Sequence, residues 1–160
     1  LYACFTVQEE IGLRGAETAA FMVKPDIALV FEGTTCSDVP ETEKHQHSTR
    51  LRKGAVITII DGSSYADKDL VNYIYNLAKE KNIPVQFKET ATGGNDAGKI
   101  QRSRAGVKVA IISVPCRYIH SPVSLMAKSD FESAMKLAVE TLNDMSSNMD
   151  NLKKLLKEDK

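Results

Sequence analysis

Val107-Lys108-Val109-Ala110-Ile111-Ile112-Ser113-Val114, running straight into Pro115-Cys116-Arg117-Tyr118-Ile119-His120-Ser121-Pro122, is the stretch that decides the fold. It is the strongest strand signal in the chain, an apolar run rich in β-branched residues and closed by proline. Working outward, similar runs occupy residues 85–87, 55–60, 27–31 and 1–7. Helical patterns lie between them. From Asp67 to Asn82, Leu70, Tyr73, Ile74, Leu77 and Ala78 fall at i, i+3, i+4, i+7 and i+8, with Lys79, Lys81 and Pro84 closing the element. Ser129 and Glu132 have capping-box spacing, and the stripe Phe131, Ala134, Met135, Ala138, Leu142 predicts a helix over about 130–143. Further helices are expected over about 12–22 and 97–105. Strands alternating with helices signal an α/β domain.

A chain of 160 residues fits one domain with a respectable core. Lys plus Arg and Asp plus Glu both number 21, so zero net charge gives no general pull toward nucleic acid or anionic lipid. No apolar run is long enough to cross a membrane, and a cytoplasmic location is expected. Cys4, Cys36 and Cys116 are odd in number and show no Cys-x-x-Cys spacing, which argues against a disulfide scaffold or a zinc knuckle. The chain opens at Leu1 inside an apolar run, which reads as a strand entered midway and hence as a piece of a longer protein. Residues 33–53 form a long polar stretch suited to a functional or partner-facing loop. Residues 144–160 read as a polar tail, helical or frayed, with Leu152, Leu155 and Leu156 on one face.

Chemistry-bearing residues cluster after the strands. Thr6-Val7-Gln8-Glu9-Glu10-Ile11-Gly12 places two adjacent carboxylates between a strand and a helix, where open α/β sheets bind ligands. Neighbouring side chains on an extended segment point apart, so one can hold a metal while the other reaches a water. Residue types alone equally describe a solvated turn. Glu32 follows the run Ile27-Ala28-Leu29-Val30-Phe31, and His120 follows the strongest strand. Each also reads as an ordinary surface residue. Together, Glu10, Glu32 and His120 share one predicted sheet edge. Carboxylates with an imidazole suit zinc, cobalt or manganese, and a pair of such ions with a nearby Glu would hydrolyse an amide bond. His45-Gln46-His47 is a weaker metal candidate, needing an extended segment to face both rings one way. Gly93-Gly94-Asn95-Asp96-Ala97-Gly98 lacks the remainder of a phosphate-binding motif and reads as a tight turn at the sheet edge that opens a helix and is a candidate to line the pocket. Ser63, Ser121 and Cys116 lack a nucleophile elbow.

Four strings then carry a resemblance: Thr-Val-Gln-Glu-Glu-Ile-Gly-Leu-Arg-Gly-Ala (6–16), Glu-Gly-Thr-Thr-Cys-Ser-Asp-Val-Pro (32–40), Gly-Gly-Asn-Asp-Ala-Gly (93–98) and Cys-Arg-Tyr-Ile-His-Ser-Pro-Val (116–123). In this order they resemble the glutamyl aminopeptidase family of tetrahedral (TET) two-metal peptidases, whose members are often labelled cellulase M or endoglucanase. The resemblance covers residues 1–143. It implies a three-layer α/β sandwich with a mixed, mostly parallel sheet. It further implies Glu9 as general base, Glu10 and His120 as ligands of one ion and Glu32 as a ligand of the other, the two ions being zinc or cobalt. Many members carry Asp where Glu32 stands. A complete family site also uses a His and a bridging Asp from upstream chain, so the 160-residue piece alone is expected to be inactive. Peptide substrates and a homo-oligomeric, dodecameric shell are implied partners. Two rivals remain at this stage: a non-catalytic binding or assembly fragment, and a metal-free glycoside hydrolase.

Overall fold

The strand at 108–117 is the axis of the molecule. In the computed structural model, which describes residues 1–156, the chain forms α1 (Arg14–Val23), β1 (Ile27–Thr35), β2 (Ala55–Thr58), α2 (Lys68–Glu80), β3 (Val85–Phe87), α3 (Ala97–Ile100), β4 (Lys108–Arg117), β5 (Leu125–Met126), α4 (Lys128–Ser147) and α5 (Met149–Leu156). The five-stranded sheet has the order β1-β4-β2-β3, with β5 added to β4. β1 runs parallel to β4 from Ile27 opposite Lys108 to Thr35 opposite Cys116, and β2 runs parallel to β3. β2 and β5 meet β4 antiparallel, so the sheet is mixed, with its longest pairing parallel. Residues 109–113 are all buried, which requires cover on both faces of the sheet. α2 and α4 pack over β4, as does α3, which also meets α1 and β1.

The helical periodicity of 67–82 translates directly. Leu70, Val71, Ile74, Leu77 and Ala78 are buried, and the Asp67 carboxylate caps α2 by accepting from Asp69 N and Leu70 N, both at 3.0 Å. Tyr73 Oη donates to Asp144 Oδ2 at 2.5 Å and ties α2 to α4. α4 departs from its expected start. Its N-cap is Ala127 without a side-chain cap, so Ser129 and Glu132 form no capping box. The first-turn carboxylate with a structural task is Asp130, 1% exposed, which accepts from Arg52 N at 2.7 Å and Gly54 N at 2.8 Å. It thereby anchors the chain entering β2. α4 also runs past 143 to Ser147, and α5 returns Leu155 to the core, whereas Leu156 is exposed. The end of the predicted tail, 157–160, lies outside the described residues.

Two strand expectations need correction. Residues 1–7 form no strand: no ladder partner occurs among the described residues, and Leu1, Tyr2, Phe5 and Val7 are exposed. Their recorded bonds go elsewhere, Val7 O accepting from Gly15 N at 3.0 Å and Thr6 Oγ1 donating to Asp96 Oδ2 at 2.5 Å. β1, conversely, extends through Thr35 because its partner β4 continues beside it to Arg117. The long polar stretch therefore starts after 35. It is pinned rather than free, with Thr49 Oγ1 on Thr35 O at 2.8 Å and Arg117 Nε on Asp38 Oδ1 at 2.6 Å.

Candidate active site

Glu10 and His120 come together although 110 positions apart: Glu10 Oε1 lies 3.3 Å from His120 Nδ1, an ion pair when the imidazole is protonated. Both side chains are mostly exposed. The turn after β4 that carries the ring holds Tyr118 at φ +58° and His120 at φ +65°, and the segment carrying the two glutamates holds Gln8 at φ +61° and Leu13 at φ +59°. Left-handed backbone at non-glycine residues is disfavoured by roughly 1–3 kcal/mol each, and such strain concentrates where side chains must be aimed.

Glu9 sits beside this pair. Burial raises its carboxyl above the usual range, the charges of Glu10 and Asp96 raise it further, and His120 opposes them. Glu32 is the more perturbed carboxyl. Burial pushes it up to about 7, a bond from Ser113 and the charge of Lys88 work against that, and the charges of Glu9 and Asp61 add to it. Its Oε1 accepts from Ser113 Oγ at 3.2 Å and from Asn95 Nδ2 at 3.4 Å. The placement differs from the sequence expectation: Glu32 lies inside β1, opposite Ser113, rather than past the strand's end. The longer β1–β4 pairing is the reason.

Several residues at this site escaped the sequence reading. Asp61 follows β2, which runs antiparallel to β4, so a rule based on strand carboxyl ends sends it to the opposite edge. It nevertheless accepts from Asn95 Nδ2 at 2.8 Å, and Asn95 in turn meets Glu32. Asp96 is buried, with Oδ1 lacking a hydrogen-bond partner and Oδ2 taking the Thr6 hydroxyl. The available signal was the Gly93–Gly98 string, whose Asn-Asp pair is polar yet placed between glycines. His45 and His47 do not lie on a strand. They belong to a single 3-10 turn and its C-cap, where His45 meets Glu43 and His47 Nε2 meets Thr42 O. That removes the shared facing a ligand pair would need.

Among the described residues no group of three or more His, Cys, Asp or Glu side chains forms a ready metal-holding cluster. The donors nevertheless fit a divalent ion in part. Glu10 and His120 offer an oxygen and a nitrogen 3.3 Å apart, and a carboxylate oxygen of Asp96 is buried without a donor nearby. Oxygen and imidazole donors of this kind suit zinc and its neighbours.

A mixed sheet with a carboxylate- and imidazole-bearing rim defines the class, an α/β domain equipped for polar chemistry at the edge of its central strands. The chain belongs to the M42 glutamyl aminopeptidase family, whose model matches residues 1–137. It is 34% identical over 146 residues to the lysyl aminopeptidase of Pyrococcus furiosus, covering 91% of this chain and 41% of that protein. Among solved structures it resembles an aminopeptidase from the archaeon Desulfurococcus kamchatkensis (TM-score 0.83, 39% identity, 85% of this chain and 39% of that one). It also resembles the Pyrococcus horikoshii TET1 peptidase, described as assembling into a tetrahedron or a large octahedral shell (TM-score 0.72, 34% identity, 86% and 39%). The chain thus spans about two fifths of the length of the curated relatives it matches. Among the described residues no helix is long and apolar enough to cross a membrane.

Proposed function

We propose that this chain supplies part of the active site of a metal-dependent aminopeptidase that removes N-terminal residues from peptides. Glu10, Glu32 and His120 are its ligands for divalent ions, two per site and zinc or cobalt in kind, and Glu9 is the general base. The observation that carries the reading is the Glu10–His120 approach at 3.3 Å next to a Glu9 whose carboxyl is already raised. Ions held there by Glu10, Glu32 and His120 would supply Lewis acidity toward the scissile carbonyl and lower the pKa of a water. Glu9 would take a proton from the attacking water as its oxygen bonds to the peptide carbonyl carbon. It then passes the proton to the departing amine nitrogen as the C–N bond breaks. A carboxyl raised above its ordinary range suits both halves of this exchange, because its proton affinity moves toward neutral pH.

The enzyme is read as cytoplasmic and as a homo-oligomer forming a dodecameric shell, supported by the likeness to a shell-forming peptidase. Residues 1–143 are assigned to the catalytic domain and 144–160 to its tail. No complete three-ligand cluster exists among the described residues, so the 160-residue chain alone is expected to bind metal weakly and to be inactive. The test is Glu9→Gln in the intact enzyme, assayed on amino-acid p-nitroanilides. Loss of about 10²–10⁴-fold in kcat with metal content unchanged is expected; unchanged turnover removes Glu9 from its role. Cellulose cleavage that survives a chelator would favour a glycosidase instead.

A further inference from the structure

The Gly93–Gly98 string is unused by the mechanism above, yet it is locked against the turn after β2. Gly62 N donates to Gly93 O at 2.7 Å, and a Cβ added at Gly62 would lie 2.6 Å from that oxygen. A Cβ at Gly98 would lie 2.6 Å from Ser63 Cβ and Oγ. An added side chain has no room at either contact, against the Gly93 backbone at Gly62 and against Ser63 at Gly98.

What the lock presents is Asn95. Its side chain is 2% exposed and its amide is fixed at both ends. Oδ1 accepts from Ala97 N at 2.9 Å, so the two protons reside on the nitrogen facing the acids. One goes to Asp61 Oδ2 at 2.8 Å and the other to Glu32 Oε1 at 3.4 Å. Asp61, itself 7% exposed, is held by Ser63 N and Ser64 N, both at 2.7 Å, and by both serine hydroxyls at 3.0 Å. Ser113 Oγ donates to the same Oε1 of Glu32.

We propose that Asn95 is a positioning residue for Glu32: oriented by Asp61, it pins Oε1 together with Ser113, so that Oε2 is the oxygen assigned to a divalent ion. This rests on Glu32 being a ligand. The chain Asp61–Asn95–Glu32 thus transmits the rigidity of two backbone turns to one ligand oxygen. Hydrogen-bonded partners of this kind orient ligands, and their loss typically weakens metal binding about 10–100-fold.

The test titrates cobalt into the intact, metal-stripped enzyme and follows its visible absorption, for the unaltered protein, Asn95→Ala, Asn95→Asp and Glu32→Gln. The aspartate variant keeps the side-chain shape and the Ala97 bond while removing both amide protons. Expected are a cobalt affinity lower by about 10–100-fold for both Asn95 variants, an altered absorption band, and a fall in kcat with little change in KM. Unchanged affinity and spectrum in a folded Asn95 variant, or failure of both variants to fold, overturns the positioning role. Glu32→Gln separates the two claims. If it leaves cobalt binding intact, the ligand reading itself fails; if it weakens binding and the Asn95 variants do not, only the positioning role is lost.

Discussion

Glu32 and Asp38 lie six positions apart, one within β1 and one just after it, and their carboxyls are driven in opposite directions. Burial acts to raise both. At Asp38 it is overcome by donors: Arg117 Nε at 2.6 Å, Cys36 Sγ at 2.9 Å and Leu51 N at 3.0 Å hold the carboxyl down at about 2. Glu32 has two neutral donors, the nearer at 3.2 Å, and two acids bearing on it, so it stands at about 7. A carboxylate whose needs are met by the protein holds the fold together. One with no cation in direct contact is, on the proposed function, where a divalent ion would bind.

The largest expected contrast is in stability. Asp38→Ala removes the acceptor of the Leu51 amide and of Arg117 Nε, leaving Arg117 only its bond to Asp38 O, and should cost roughly 2–3 kcal/mol in urea unfolding at pH 7.5. Glu32→Gln removes an uncompensated charge and should be neutral or slightly stabilising in the metal-free protein under the same conditions. Equal losses from both substitutions would break the comparison.

Next comes the pH dependence of the metal-free protein. Glu32 is raised when folded, so the native state holds its proton where the unfolded chain has released it. Stability from this group is full below about 4.5 and falls as pH rises through about 7, by roughly 1–3 kcal/mol. Asp38 is depressed, so its contribution is present above about 3.8 and is lost as pH falls through about 2, by roughly 2 kcal/mol. Unfolding curves across pH check both arms: the neutral-side slope should vanish in Glu32→Gln, and the acid-side slope should shrink in Asp38→Asn. A slope of the same size in either variant would assign it to other groups.

A smaller effect probes the fold's own anchor. Asp130→Asn keeps one acceptor oxygen for Arg52 N or Gly54 N and should cost about 1–2 kcal/mol in the same assay, less than Asp38→Ala. A cost above that of Asp38→Ala would reverse the ranking of the two carboxylates.

Where sequence reading succeeded, the signal was local. β4, β3 and α2 follow from apolar runs and helical spacing, and the rim position of His120 follows from its place after β4. Failures came where tertiary partners decide. Residues 1–7 have the composition of a strand, but a strand needs a ladder, and no described strand pairs with them. Ser129 and Glu132 have cap spacing, but the helix begins earlier, and Asp130 is drawn to the backbone at 52–54. Asp61 and Asn95 reach the site through an antiparallel strand and a glycine lock, and neither leaves a periodic trace. The family strings named Glu9, Glu10, Glu32 and His120 together; composition by itself left each of them a candidate surface residue.

The most direct measurement is anomalous diffraction at the zinc edge from crystals of the intact enzyme grown with zinc. The account predicts density peaks about 2.0–2.2 Å from a Glu10 oxygen and a His120 nitrogen, and at the same distance from a Glu32 oxygen, with Glu9 beyond bonding distance. Peaks that avoid these three side chains, or zinc bound directly by Glu9, would contradict it.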